Sequence, residues 1–285
     1  MKRNLRFYIL GISGALGGLF GWQVSNLLGL SLTNNLYLSE VIIGALIGGL
    51  IGFCIGLGQG MLEQSLMVGL KKGAITLLLG AIGGAIALPL AEGLYLAIGG
   101  EAWSRPFGWA LFGLLIGFAT SITGGSQLWK GGLGGLVGGL IGGVLLEVAR
   151  SLLSDLALGK AAGLILLGFS TGIFTAMISF ALSRTWLEIT SGKITGMEFI
   201  LDKFLKKDGP SATIGSSPLK ADIAIPDEGI DAQHAILEGH DTYFSIKDLS
   251  VSGTYLEGKK IDVARIKDNQ HIRMGKTEMV YHEKR

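Results

Sequence analysis

The chain has 285 residues, of which 49% are hydrophobic and only 16% are charged, and its formal net charge at pH 7 is +2. Soluble domains carry about a quarter charged residues, so this composition favours a membrane protein over a soluble enzyme. The near-neutral charge without a basic stripe argues against a nucleic-acid partner, and the single cysteine excludes a disulfide framework.

Charged residues and glycines are distributed in opposite ways along the chain. Of the 46 charged residues (24 basic and 22 acidic), 16 precede residue 185, whereas 38 of the 47 glycines do. Such a division implies two regions that meet different solvents. We therefore predict a polytopic transmembrane domain at residues 1–184 and a cytoplasmic domain at residues 185–285.

The first region predicts an α-helical transmembrane bundle of about six spans. The apolar segments are Phe7–Leu30, Val41–Met61, Gly73–Leu90, Phe107–Gln127, Gly131–Leu146 and Ala161–Ser183. A bilayer core of about 30 Å needs about 20 apolar residues in a helix. The third and fifth segments are shorter than this, and we expect them to extend into Ala91–Ala97 and Val148–Leu153.

Lysine and arginine in the short loops predict the orientation of the bundle. A cytoplasmic N-terminus places three basic residues outside (Arg105, Arg150 and Lys160) and seven inside (Lys2, Arg3, Arg6, Lys71, Lys72, Lys130 and Arg184). The apolar run after MKRNLR is too long for a secretory signal, so we interpret it as a retained first span. We expect a multi-pass protein of the inner (cytoplasmic) membrane with both termini in the cytoplasm.

Glycines recur at every fourth position in two of the spans. The first set is Gly44, Gly48, Gly52, Gly56 and Gly60, and the second is Gly131, Gly135, Gly139 and Gly143. This spacing places each set on one helix face, where small residues let helices approach closely in lipid. We interpret both sets as helix-packing faces (a glycine zipper) that also favour a homo-oligomer. The alternative interpretation is the lining of a pore or substrate path.

Similar octapeptides occur within the first, third and fifth spans: GALGGLFG, GAIGGAIA and GLVGGLIG. This repetition favours a two-helix unit present three times. No family resemblance is identified for the membrane region.

The membrane region carries no complete catalytic motif. Gly168–Gly172 spells the nucleophile elbow of hydrolases, but no strand precedes it. An intramembrane serine protease needs a histidine to deprotonate its serine, and no histidine occurs before His234. Cys54 has neither a base nor a metal partner nearby, so we interpret it as a packing thiol. The histidines lack metal-ligand spacing, and we predict no enzyme activity, no metal and no cofactor.

The second region alternates short strand-like segments with turn residues, which predicts an all-β sandwich. Only a couple of residues separate the sixth span from the first of these segments, WLEI. We therefore expect the last helix to hold the β domain against the membrane surface and largely to fix its orientation.

Four segments carry a family resemblance: TIGSSPLKADIAI (Thr213–Ile225), GIDAQHAIL (Gly229–Leu237), DLSVSGTYLEGKKI (Asp248–Ile261) and DNQHIRMG (Asp268–Gly275). Their order and spacing resemble a forkhead-associated (FHA) domain. The resemblance covers residues 185–285 and implies an eleven-stranded β-sandwich whose loops at one end bind a phosphothreonine peptide.

Three positions depart from the family pattern. Where the family has Ile-Gly-Arg, the third residue in this chain is Ser216. Where the family has Ser-x-x-His, the first residue here is Asp231, and where it has Asn-Gly-Thr, the first residue here is Ser252. By resemblance, the arginine and serine hold the phosphate, the asparagine holds the peptide backbone, and the histidine braces the loops. A carboxylate beside a phosphate is repulsive. The candidate partner-binding residues are Ser216, Ser217, Asp231, His234, Ser252, Gly253 and Thr254.

The resemblance implies a membrane-anchored FHA module that docks protein or peptide partners in signalling or assembly, and we predict that it does so without phosphothreonine recognition. Two alternatives remain open. One is residual phosphopeptide binding in a Ser/Thr kinase pathway, with Lys220 or Lys276 as the substitute cation. The other is a channel or transporter that the FHA-like domain regulates.

Overall fold

The computed structural model describes residues 3–29, 36–63, 65–100, 102–153 and 155–284. The first part forms six helices that are long and apolar enough to cross a membrane. They are α1 (Arg3–Leu27), α2 (Leu36–Leu62), α3 (Leu66–Ala97), α4 (Arg105–Gly124), α5 (Leu128–Leu152) and α6 (Leu156–Ala181). The prediction of six spans is confirmed, and α3 and α5 extend as expected.

Local capping explains where the helix ends differ from the predicted spans. The side chain of Ser65 accepts a hydrogen bond from the amide of Val68, so α3 begins at Leu66, seven residues before the predicted span. Gly125 has a φ of +79°, a left-handed conformation that ends α4 three residues before the predicted end. The carboxylate of Asp155 accepts from the amides of Ala157 and Leu158 and starts α6.

The six helices form a closed ring, because each packs on the next in the chain and α6 packs on α1. At three interfaces a glycine of one helix packs directly on the carbonyl group of a glycine in the other: α1 with α6, α2 with α3, and α4 with α5. A side-chain carbon added at Gly14 would overlap the carbonyl oxygen of Gly168, one at Gly44 would overlap that of Gly84, and one at Gly113 would overlap that of Gly135. The same type of contact therefore recurs three times around the ring.

The glycines expected to pack helices lie at these interfaces. Gly44, Gly48, Gly52, Gly56 and Gly60 face α3, whereas Gly131, Gly135, Gly139 and Gly143 face α4. Their neighbours are helices of the same chain. The homo-oligomer stays a prediction, and these two faces are already occupied within one molecule.

The second part is a β-sandwich of eleven strands, as the resemblance implies. One sheet has the order β2-β1-β11-β10-β7-β8 and the other the order β4-β3-β5-β6-β9. The strands are β1 (Thr185–Ile189), β2 (Glu198–Ile200), β3 (Ala212–Gly215), β4 (Ile223–Ala224), β5 (Ala235–Gly239), β6 (Phe244–Asp248), β7 (Thr254–Leu256), β8 (Lys259–Ile261), β9 (Val263–Ile266), β10 (His271–Met274) and β11 (Thr277–Glu283).

Alternation along the strands builds the core between the two sheets. In β1, β5 and β6 the side chains that point inward are buried, and those between them are more exposed. Phe244 on β6 and Tyr281 on β11 meet edge-to-face inside the sandwich, with ring centroids 6.0 Å apart. The core therefore holds the strand ends, and the loops between them, in fixed positions.

A buried ion pair joins the helices to the β-sandwich. The ammonium of Lys130, in the first turn of α5, lies 2.7 Å from the carboxylate of Asp202, and their side chains are 3% and 1% exposed. The same carboxylate accepts from the amides of Arg184 and Thr185, at 3.0 and 2.9 Å. Asp202 therefore ties the chain after α6 to the start of α5.

Other helices also contact the β domain. The guanidinium of Arg6 on α1 donates to the carbonyl of Glu198 at 2.7 Å. The ammonium of Lys203 donates to the carbonyl of Ile122 on α4 at 3.2 Å. We expected the last helix largely to fix the orientation of the β domain. This expectation is corrected, because contacts from α1, α4 and α5 also hold that domain.

Candidate functional site

Three loops meet at one end of the β-sandwich: residues 216–222 after β3, 225–234 before β5, and 249–253 after β6. We call them the loop cluster. The amide of Ser216 donates to the carbonyl of Asp231 at 2.9 Å, and the amide of Leu249 donates to the carbonyl of His234 at 2.9 Å. A side-chain carbon at Gly215 would overlap the carbonyl of Ala232, so glycine is required for this close approach.

His234 braces the loop cluster from inside. Its side chain is fully buried, and its Nδ1 accepts from the amide of Asp231 at 3.1 Å. Its own amide donates to the carbonyl of Ile214 at 2.8 Å. Because Nδ1 accepts, a neutral imidazole carries its proton on Nε2. The ring therefore holds the turn before β5 in place and does not face solvent.

Asp231 brings a carboxylate into the loop cluster. Its Oδ2 accepts from the amide of Val251 at 2.9 Å, which links the second loop to the third. The side chain is half-buried. A negative charge therefore stands at the position where the family has the phosphate-binding serine. Val251 beside it is 94% exposed, so an apolar side chain projects from the same place.

Asp248 organises the third loop. Its Oδ1 accepts from the amide and hydroxyl of Ser250 at 3.1 and 2.7 Å, and from the hydroxyl of Thr254 at 2.9 Å. The hydroxyl of Ser250 in turn accepts from the amide of Gly253 at 2.7 Å. Burial raises the pKa of the Asp248 carboxyl. The hydrogen bonds from Ser250 and Thr254 together lower it by more than burial raises it, so the pKa lies below the ordinary 3.8.

This network predicts a pH dependence. A carboxyl whose folded pKa is depressed stabilises the fold above its ordinary pKa, and that contribution is lost as the pH falls through the folded pKa. We expect the thermal unfolding midpoint of the full-length protein in detergent to fall between about pH 5 and about pH 3, with Asp248 contributing. Asp248→Asn should lower stability at pH 7 by about 1–3 kcal/mol and lose less on acidification.

The control for this experiment is Asp262→Asn, which neutralises an exposed carboxylate outside the loop cluster. It should keep the wild-type pH profile. Equal acid sensitivity in wild type and Asp248→Asn would contradict the assignment.

The remaining predicted site residues lie at the same end of the sandwich. The hydroxyl of Ser252 donates to the carbonyl of Gly229 at 3.3 Å, and Ser217 is half-buried in the first loop. Thr254 is fully buried, with its hydroxyl on Asp248, whereas Gly253 adopts a φ of +90°. The loop cluster and the first residue of β7 thus contain all seven predicted site residues, and their role in binding a partner stays a prediction.

Lys260 is a cation at this site that the family motifs did not point to. A side-chain carbon placed at Gly253 would lie 2.9 Å from the Nζ of Lys260, so the ammonium covers this glycine. By contrast, the side chains of Lys220 and Lys276 are exposed. The carbonyl of Lys220 accepts from the side chain of Gln233, and the amide of Lys276 donates to the carboxylate of Asp227, so these contacts with the loops are made by backbone atoms. The signal was available: a turn at Glu257-Gly258 pairs Lys260 with Tyr255, next to the Gly253-Thr254 motif.

Comparison with known proteins agrees with this geometry. The family model described as the FHA domain matches residues 212–275. The FHA domain of the CT664 protein from Chlamydia trachomatis is 32% identical, and the match covers 36% of this chain and 100% of that chain, with a TM-score of 0.33. No curated protein matches the chain.

Two further solved structures are similar at lower identity. The cytoplasmic domain of the T3SS sorting platform protein PscD from P. aeruginosa is 22% identical over 35% of this chain and 80% of that chain, with a TM-score of 0.31. The MEK1 FHA domain, in complex with the HOP1 pThr318 peptide, is 18% identical over 36% of this chain and 100% of that chain, with a TM-score of 0.30. The family model and the 32% identity to the complete Chlamydia domain show that the C-terminal part of this chain belongs to the FHA domain family.

Proposed function

We propose that this chain is a multi-pass protein of the inner (cytoplasmic) membrane that presents its FHA domain to the cytoplasm as a docking module for protein partners in signalling or assembly. The six apolar helices support the membrane location, and the excess of lysine and arginine in the inner loops supports the orientation. The FHA domain supports a protein or peptide as the partner, because domains of this family are interaction modules.

The docking is independent of phosphothreonine, and the Asp231 carboxylate is the observation that carries this proposal. This anion, held by the amide of Val251, stands within the loop cluster, where it would repel a phosphate. Ser216, at the position of the family's arginine, carries no charge to offset it. A neutral or basic segment meets no such repulsion, and the exposed side chain of Val251 offers it an apolar contact.

Residual phosphopeptide binding is a second candidate, and Lys260 is the observation that favours it. Its ammonium lies over Gly253, beside the loop that Asp231 contacts. A lysine is a competent phosphate ligand, although it lacks the paired donors of arginine. In this case Lys260→Gln would remove the binding.

The test compares the full-length protein with the double variant Ser216→Arg/Asp231→Ser, which restores the family pattern. Each is titrated, in nanodiscs, with a phosphothreonine peptide library and with the same peptides unphosphorylated. We expect the wild type to show no preference for phosphate. The double variant should prefer phosphorylated peptides by at least about tenfold, because a charge-assisted hydrogen bond is worth about 1.5–3 kcal/mol.

The matched control is Ser211→Arg/Glu238→Ser, which makes the same change in charge at the other ends of β3 and β5. It should behave as the wild type. Wild-type binding of a phosphothreonine peptide at about micromolar affinity, lost on dephosphorylation, would show phosphate independence to be wrong. Loss of that binding in Lys260→Gln would then identify the second candidate.

A further inference from the structure

A cavity of about 340 Å³ lies between the helices at the end of the bundle away from the FHA domain. All six helices line it, within about three turns of their ends. Its polar and aromatic lining includes Trp22 on α1, Glu40 on α2, Glu92 on α3, Arg105 on α4, Arg150 on α5 and Lys160 on α6. Pockets for small molecules have volumes of about 300–1,000 Å³, so the cavity is large enough for a ligand.

One side of the cavity, formed by α2 and α3, is acidic. Glu40 and Glu92 both line the cavity. Neither carboxylate forms an ion pair with a basic side chain in the described parts of the chain. The Oε2 atom of Glu40 is buried and has no hydrogen-bond partner among the described residues. This side therefore presents two carboxyl groups that no cation among the described residues balances.

The opposite charge is concentrated on α4, α5 and α6. The carboxylate of Glu147 lies 3.5 Å from the guanidinium of Arg105 and 3.3 Å from that of Arg150, so one anion serves two cations. The ammonium of Lys160 has no ion pair with any described residue, and the Nε of Arg150 is buried without a partner there. The part of the cavity lining that these helices form therefore holds three basic side chains and one acidic side chain.

The deeper lining is apolar and includes Ile47, Leu88, Trp109 and Leu164. The cavity thus places an acidic side and a basic side around an apolar floor. Charges in such a partly dry space are costly unless they are paired, and a ligand that carries both signs would pair with both sides at once.

We propose that this cavity binds a small zwitterion with an apolar part. The ammonium group of the ligand lies against Glu40 and Glu92, and its carboxylate or phosphate lies against Arg150 and Lys160. Its apolar part contacts the floor, where Trp22 and Trp109 also favour a cationic group. Two sources share this chemistry: a free amino acid with an apolar side chain, and the headgroup of a zwitterionic phospholipid.

The test measures binding to the full-length protein in nanodiscs of phosphatidylglycerol, a lipid that has no ammonium group. The free probes are L-phenylalanine and L-leucine, with phenethylamine as the cation-only analogue and 3-phenylpropanoate as the anion-only analogue. We expect a zwitterion to bind at least about tenfold more tightly than either analogue, because each of these lacks one charged contact. In a second arm, phosphatidylethanolamine replaces part of the lipid, and the thermal unfolding midpoint is measured.

Three variants locate the site. Glu40→Gln and Lys160→Gln should each weaken zwitterion binding, or the effect of phosphatidylethanolamine, by about tenfold. Lys71→Gln removes an exposed charge at the opposite end of the bundle and should have no effect. Since Glu40 and Lys160 form no ion pair with any residue that the structure describes, their variants should fold, which circular dichroism checks. An effect confined to phosphatidylethanolamine and lost in both variants identifies the lipid as the source.

Three results would overturn the proposal. The first is the absence of saturable binding by both amino acids together with no response to phosphatidylethanolamine. The second is equal affinity for a zwitterion and its singly charged analogues. The third is binding that Glu40→Gln and Lys160→Gln leave unchanged. None of these outcomes depends on the FHA loop cluster, so the proposed docking function can fail or hold independently.

Discussion

Gly84→Leu is expected to prevent the helical part from folding, whereas Gly93→Leu in the same helix leaves it intact. A side-chain carbon at Gly84 would overlap the carbonyl oxygen of Gly44 and lie 2.7 Å from its carbon. Both of these are backbone atoms, which a rotamer change cannot move. Helices α2 and α3 would have to separate, and the close contacts at Gly48 and Gly80 would be lost with them.

The size of the effect follows from overpacking. Extra atoms in a packed core cost about 1–3 kcal/mol and occasionally more, and here a whole interface must open. We therefore expect little Gly84→Leu protein in the membrane fraction and no sharp thermal transition in detergent. Gly84→Ala, which adds only the overlapping carbon, should already lower the unfolding midpoint.

Gly93 is the matched control because a side-chain carbon there would meet nothing within 4 Å. Gly93→Leu and Gly93→Ala should keep the wild-type midpoint or raise it, since glycine is about 1 kcal/mol worse than alanine in a helix. Equal stability of the alanine variants at positions 84 and 93 would show that α2 and α3 do not approach this closely. The outcome also bears on whether the glycines pack helices or line a path.

The second large effect is expected from Lys130→Met at the junction of the two domains. This change leaves the carboxylate of Asp202 charged and almost fully buried without its cation. Removing one partner of a buried ion pair costs about 3–5 kcal/mol. We expect a lower unfolding midpoint for the full-length protein and faster amide exchange in residues 198–204, which dock on the helices.

A double variant separates the charge from the shape. Lys130→Met/Asp202→Asn removes both charges, and the amide oxygen of asparagine still accepts from the amides of Arg184 and Thr185. It should recover part of the lost stability, because no unpaired charge stays buried. Lys71→Met, which changes an exposed lysine, should shift stability by no more than about 0.5 kcal/mol. If Lys130→Met changes stability by no more than this control, the ion pair with Lys130 is not needed to keep the Asp202 carboxylate buried.

The junction has a consequence for the proposed docking function. Contacts from α1, α4 and α5 hold the strand-to-turn segment 198–204, so the FHA domain has one orientation on the bundle. A partner bound at the loop cluster would therefore also have a defined position relative to the membrane. The zwitterion cavity lies at the far end of the same bundle.

The parts of the structure that could be predicted from the sequence are those that depend on local features of the chain. Six helices followed from apolar length, because any span needs about 20 such residues whatever its neighbours are. The loop cluster followed from short motifs at family spacing, since each motif shapes its own turn. Helix ends were less certain, because a single cap decides them: Ser65 started α3 early, and Gly125 ended α4.

Residue types and their local spacing were enough to divide this chain into an apolar helical part and a β-sandwich, and to place an anion at Asp231 in its loops. Only the tertiary structure decided which distant side chains meet. Lys130 meets Asp202, 72 residues away, and acidic and basic side chains from five helices surround one cavity. Such meetings depend on how the helix ring closes and how the strands are ordered, and a local sequence period contains no information about either.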